Sequence, residues 1–223
     1  MLPLILAAAA WLALHIGVSG TALRGRVVAA LGGEWPFRGV FSAASTVVII
    51  WLVMAWRAAP TTPLWYAPGA LRGLVAALML LAFVLFALSV AGNNPTSVGQ
   101  SLGAEGARGI TRVTRHPMLW SFAIWAGAHL LANGDTAALV FFGTFLVTAL
   151  AGMPSIDAKL AKRDPAVWAR LSAETSILPF GAVLAGRNRV SWAEIGWLRP
   201  AIGVLAWAAM AHLHGRLIGV PVW

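Results

Sequence analysis

A chain of 223 residues that is 60% hydrophobic and only 10% charged is too apolar for a soluble domain, which is nearer half apolar and a quarter charged. Cysteine is absent, which excludes disulfides, thiolate metal sites, cysteinyl iron–sulfur clusters and covalent c-type haem. The formal net charge of +9 does not point to nucleic acid, because the basic residues gather in particular connectors, the pattern of membrane orientation and of attraction to anionic lipid headgroups.

A bilayer core of ~30 Å needs ~20 apolar residues in helix. Six runs approach that length: 2–19, 40–56, 70–91, 117–132, 136–153 and 200–222. The first has no basic segment before it and exceeds a signal-peptide core, so a retained first helix is expected. Run 40–56 ends at Arg57 and the turn Pro60-Thr-Thr-Pro63. Pro68-Gly69 opens the third helix, and Asn93-Asn94-Pro95 closes it because proline cannot continue a helix. His116-Pro117 opens the fourth, with proline at a tolerated first-turn position. Asn133-Gly134-Asp135 predicts a tight turn, making runs four and five a helical hairpin. The stretch 157–171, with Ile156, Leu160, Val167 and Leu171 at helical spacing, predicts an amphipathic helix on the cytoplasmic leaflet, its acids Asp157, Asp164 and Glu174 on a solvated face.

The expected architecture is an all-α, polytopic bundle of six transmembrane helices in one domain, 1–223, with the amphipathic helix between helices five and six. Connectors 20–39, 92–116 and 154–199 carry 3, 3 and 7 Lys/Arg, against Arg57, Arg72 and Arg216 on the other side. The basic connectors are therefore expected in the cytoplasm and both termini in the periplasm. Most of the twelve tryptophans lie near run ends, as an interfacial belt requires.

One ten-residue pattern occurs twice. Trp11-x3-His15-x3-Ser19-Gly20 lies in the first run and Trp125-x3-His129-x3-Asn133-Gly134 in the fourth. Residues four apart share a helix face, so each segment stacks an indole, an imidazole and a small polar group. A histidine inside a membrane-length apolar run is costly unless satisfied. One reading is bis-imidazole ligation of a non-covalent haem b iron by His15 and His129, with Trp11 and Trp125 against the porphyrin edge and Ser19 or Asn133 fixing local polar geometry. The competing reading is that each histidine bonds a neighbouring helix and binds nothing.

Helix rise places His15 ~20 Å below one surface and His129 ~18 Å above the other. In a ~30 Å core these heights differ by roughly 8 Å. His212 matches the height of His129 better, so His129 with His212 is a rival pair. His212 and His214, two residues apart, point to different faces and do not chelate together. Arg112 and Arg115 stand where a lipid phosphate or a haem propionate could sit. No Gly-rich phosphate loop, Ser/His/Asp order or metalloprotease motif is present.

Arg115-His116-Pro117-Met-Leu-Trp120 followed by Trp125-Ala-Gly-Ala-His129-Leu-Leu-Ala-Asn133-Gly-Asp135 closely resembles the NnrU family. The likeness extends over nearly the whole chain, through Leu23-Arg24, Asn94-Pro95-Thr96, Gly109-Ile-Thr-Arg, Ile156-Asp157 and Leu178-Pro179-Phe180. It implies a polytopic protein of the bacterial inner membrane, associated in some bacteria with nitrite and nitric oxide reductase activity. It also implies kinship with the plant zeta-carotene isomerase, in which two histidines hold haem b. One of those ligands falls on His129. The other best matches His15, although the plant histidine stands closer to its Leu-Arg, so the match needs a two-residue gap.

On this resemblance Arg24, Arg115 and His116 are expected to hold propionates or to structure the cytoplasmic rim. The expected role is isomerase-like or redox, on a lipid-soluble substrate. The alternatives are a non-catalytic accessory factor for denitrification, working through a membrane-protein partner, and a membrane methyltransferase that takes S-adenosylmethionine near 92–116 and 155–180. The last rests on a distant likeness to isoprenylcysteine-type methyltransferases.

Overall fold

The computed structural model describes residues 1–90 and 106–222. Among them regular structure is helical, and each of the six apolar runs forms helix. In chain order these are α1 (Leu2–Leu12, continued as a wide helical turn over Ala13–Val18), α2 (Leu23–Ala30), α3 (Glu34–Ala58), α4 (Leu71–Val90), α5 (Pro117–Ala132), α6 (Thr136–Arg163), α7 (Pro165–Glu174), α8 (Gly181–Leu184), α9 (Trp192–Ile195) and α10 (Leu198–Ile218). Four of them, α3, α4, α6 and α10, are long and apolar enough to cross a membrane. The first run and α2 meet that test together but are bent by 89°, and α5 has only 16 residues. The helix end expected at Asn93-Asn94-Pro95 and the motif Asn94-Pro95-Thr96 lie outside the described residues.

The amphipathic helix starts later than the sequence suggests. α6 continues past residue 153 and through Pro154 to Arg163, so Ile156, Asp157 and Leu160 belong to it. Asp164-Pro165 makes the break. Proline has no N–H for the ladder of α6 but fits the first turn of α7. The Asp164 carboxylate then accepts from the Val167 N–H at 3.1 Å and caps that turn.

The Asn133-Gly134-Asp135 turn is present. Asp135 caps α6 by accepting from the Ala138 N–H at 2.8 Å. The segment after α3 lies over this turn, with the N–H groups of Leu64 and Trp65 both donating to the Gly134 carbonyl, at 2.7 and 3.1 Å. Only glycine fits at 134, because a Cβ there would collide with the Trp65 carbonyl.

α6 is the central element. Leu4, Ala7 and Ala8 of α1 and Ala126 of α5 are buried with Ala137, Ala138, Phe141 and Phe142 of α6, and small residues let these backbones approach. Trp11 contacts Thr148 and Gly20 contacts Ser155, so α1 runs parallel to α6. His129 contacts Phe142 while Leu119 lies against Gly152, so α5 runs antiparallel to it. A second cluster joins Leu85 and Leu88 of α4 to Ile110, Val113 and Ile195. α10 packs on α4, and large apolar side chains such as Val47, Met54, Leu205 and Leu217 point outward, as they do against lipid.

Candidate functional site

Both histidines of the repeated pattern make the same local bond. The His15 Nδ1–H donates to the Trp11 carbonyl at 3.0 Å, and the His129 Nδ1–H donates to the Trp125 carbonyl at 2.8 Å. A carbonyl can only accept, so Nδ1 carries the hydrogen in each ring and Nε2 keeps its lone pair. That is the tautomer an axial metal ligand needs. His15 gains its orientation from the wide turn, in which the Ser19 N–H reaches back five residues to the Leu14 carbonyl at 2.9 Å. Such turns recur at functional positions. Two residues from each histidine along the chain, Gly17 and Gly127 face open space: a Cβ on either would meet nothing within 4 Å.

The two tryptophans share a neighbour, and the two histidines step away from it. Trp11 and Trp125 both pack against Phe145, at ring separations of 5.3 and 5.4 Å. His15 stacks on Trp11 at 3.8 Å, and His129 lies 5.2 Å from Trp125 and stacks on Phe142 at 4.7 Å. The rings form one series: His15, Trp11, Phe145, Trp125, His129. Because α1 is parallel and α5 antiparallel to α6, the four-residue step from tryptophan to histidine runs ~6 Å in opposite directions. Each imidazole fits an axial ligand by its donor chemistry, and the two are linked through contacts of Trp11, Phe145 and Trp125.

The other candidate residues have partners of their own. Asn133 closes α5, its Nδ2–H donating to the His129 carbonyl at 2.8 Å. Arg24 is held by both Glu34 carboxylate oxygens, at 2.9 and 2.7 Å, and lies over Phe37. His212 is exposed on α10. His214 donates through Nδ1–H to the Val220 carbonyl. Among the described residues there is no cluster of three or more His, Cys, Asp or Glu that could hold a metal. Axial haem ligation uses only two such groups.

The Arg-His-Pro motif forms a different site. Arg115 and His116 are buried and converge on Asp157 of α6, itself 7% exposed. The Arg115 Nε and Nη2 groups donate to the carboxylate at 3.0 and 2.8 Å, Nη1 donates to Thr175 Oγ1 at 2.8 Å, and the guanidinium lies over Trp168. The His116 Nε2–H donates to Asp157 Oδ1 at 2.9 Å. Its Nδ1 is buried with no hydrogen-bond partner among the described residues. The carboxylate orients the ring, so a polar ring atom is left buried. This corrects the expectation that Asp157 lies on a solvated face. The signal was its helical phase, four residues after buried Met153 and three before buried Leu160. With its guanidinium already on a carboxylate, Arg115 offers less to a propionate than the sequence suggested.

Next to this cluster, residues 106–116 and 174–195 mesh through polar bonds. Glu174 accepts from the Ala107 N–H at 2.9 Å, and Glu194 accepts from the Gly109 N–H at 2.7 Å. Arg112 binds Glu194 through Nε and Nη2, at 2.8 and 2.9 Å, and Asn188 through Nη1. The guanidinium holds the Glu194 carboxyl below its ordinary 4.5. A carboxyl lowered on folding stabilises fully above its unfolded value and loses that contribution as pH falls through the folded one. Protection of the Gly109 amide in hydrogen exchange is therefore expected to drop below about pH 4.5, and Glu194→Gln to remove this pH dependence. Unchanged protection of the wild type between pH 6 and 3 would refute the coupling.

The chain matches the family model described as NnrU protein over residues 3–222. Its sequence is 35% identical over 80 residues to a 15-cis-zeta-carotene isomerase of the chloroplast of Arabidopsis thaliana, and 33% identical over 82 residues to that of Zea mays. These stretches are 36% and 37% of this chain and 22% of each isomerase. No solved structure matches. With a full-length match and the Arg-His-Pro and repeated-histidine segments in place, the chain belongs to the NnrU family.

Proposed function

We propose that this protein is an isomerase-like membrane protein that acts on an apolar, unsaturated substrate and carries haem b, with His129 and His15 as axial donors and Trp11 and Trp125 as ring contacts. The observation that carries this reading is the pair of identical Nδ1–H bonds, which leave both Nε2 atoms without a hydrogen-bond partner among the described residues, inside apolar helices. The likeness to zeta-carotene isomerases supports it and suggests the substrate class. Bound haem would be held by His15 and His129 and would supply a Lewis-acidic, redox-active iron to the chemistry of the double bond. The residues of the chain orient the imidazoles, exclude water and offer aromatic surface to a flat molecule.

The proposed topology has six crossings in a bacterial inner membrane. α1 with its wide turn and the short α5 complete the set, and both termini lie in the periplasm. The 13-to-3 division of Lys and Arg between connectors supports that orientation.

The absorption spectrum of the detergent-purified protein, expressed with haem supplied, tests this reading. A Soret band is expected, lost in His129→Ala and in His15→Ala. A band that survives His15→Ala leaves His129 as sole axial donor from this pair. A colourless wild type refutes haem binding and leaves the accessory and methyl-transfer roles.

A further inference from the structure

Where the chain returns after α7, Arg112, Glu174, Arg187, Asn188 and Arg189 line an open cavity of about 450 Å³. That volume falls within the range of small-ligand sites. Its walls are fixed before any ligand arrives. Arg187 places Nη1 on the carbonyls of Ser172 and Ala173, at 2.8 and 2.7 Å, which are orphan acceptors at the end of α7. Asn188 is held at both ends, its Nδ2–H on the Glu174 carbonyl at 2.8 Å and its Oδ1 accepting from Arg112. Arg112 spends its side-on edge, Nε and Nη2, on Glu194.

Arg187 does the reverse. Its Nη1 is anchored, while Nε–H and Nη2–H make no hydrogen bond among the described residues. These two donors form the parallel pair that grips an oxyanion side-on. Arg189 is exposed beside it, and its side chain makes no hydrogen bond among the described residues. Three guanidiniums against Glu174, with Glu194 matched to Arg112, leave the walls with one positive charge in excess.

We propose that this cavity binds a phosphate group, gripped side-on by Arg187 and from a second direction by Arg189. A tetrahedral phosphate offers separate oxygens to two guanidiniums, whereas a carboxylate offers one coplanar pair. The group comes either from a phospholipid headgroup or from a soluble phosphate. The site is independent of haem.

The test uses the full chain. Inorganic phosphate is titrated calorimetrically into protein in phosphatidylcholine nanodiscs, and phosphatidylglycerol retained through purification is counted by native mass spectrometry. At least one probe is expected to bind and to weaken tenfold or more in Arg187→Gln and in Arg189→Gln. Arg187→Lys keeps the charge but loses the parallel pair, and is expected to fall in between. Binding of phosphate identifies a soluble source, and retention of phosphatidylglycerol alone identifies the headgroup. Arg187→Gln also uncaps α7, so Arg189→Gln decides if that variant does not fold. The proposal is overturned if neither probe binds, if Arg189→Gln binds like wild type, if distant Arg57→Gln weakens binding equally, or if succinate binds as well as phosphate.

Discussion

Replacing Asp157 by alanine is expected to cost about 3–5 kcal/mol, the penalty for leaving one member of a buried ion pair without its partner. Arg115 would stay in the interior with its charge unmatched, because its side chain is only 7% exposed and boxed in by Thr175 and Trp168. His116 would lose the acceptor of its Nε2–H as well. Domains have only about 5–15 kcal/mol in total, so the variant should accumulate poorly and melt far below wild type. The double replacement Arg115→Met with Asp157→Leu is expected to recover much of the loss, since an apolar pair of similar volume needs no desolvation of charge. The measurement is thermal unfolding in detergent. A wild-type melting temperature for Asp157→Ala would show that the three residues do not act as a unit.

The second large effect is expected at the α4–α10 contact. A Cβ at Gly203 would lie 2.7 Å from Val84 Cα and 3.0 Å from the Phe83 carbonyl. Both are backbone atoms in a helix, so neither can turn aside as a side chain does. Gly203→Leu should therefore push α10 away from α4, at a cost of at least the ~1–3 kcal/mol of ordinary overpacking. Since α10 packs chiefly on α4, its release should expose the preceding segment. Trypsin cleavage at Arg187 and Arg189 is the readout, expected to be several-fold faster than in wild type, with Gly203→Ala intermediate. Equal cleavage in all three proteins would mean that the close approach is not needed to hold α10.

The apolar runs were readable because membrane-length hydrophobicity is a property of the sequence itself. So were Asn133-Gly134-Asp135 and the Pro117 helix start, where local chemistry decides the backbone. What was misjudged depended on partners remote in the chain. Asp157 reads as a solvated acid in the sequence although its phase matches Met153 and Leu160, because its partners lie 41 and 42 positions away. Arg112 was considered for an anion, and its carboxylate lies 82 positions on. The repeated Trp-x3-His pattern is visible in the sequence, but that both tryptophans contact Phe145 while the histidines step apart follows from opposite helix directions around α6, a property of topology. The anchored Arg187 had no local signature, since its role comes from where α7 ends.

The wide turn over Ala13–Val18 has an evolutionary consequence. A turn closed by a bond to the fifth residue holds one residue more than its neighbours, so it can take up an insertion without shifting the register of helices on either side. The segment between His15 and Leu23-Arg24 spans this turn and the sharp corner after it. A residue inserted or deleted here can therefore be taken up locally while both flanking helices keep their packing.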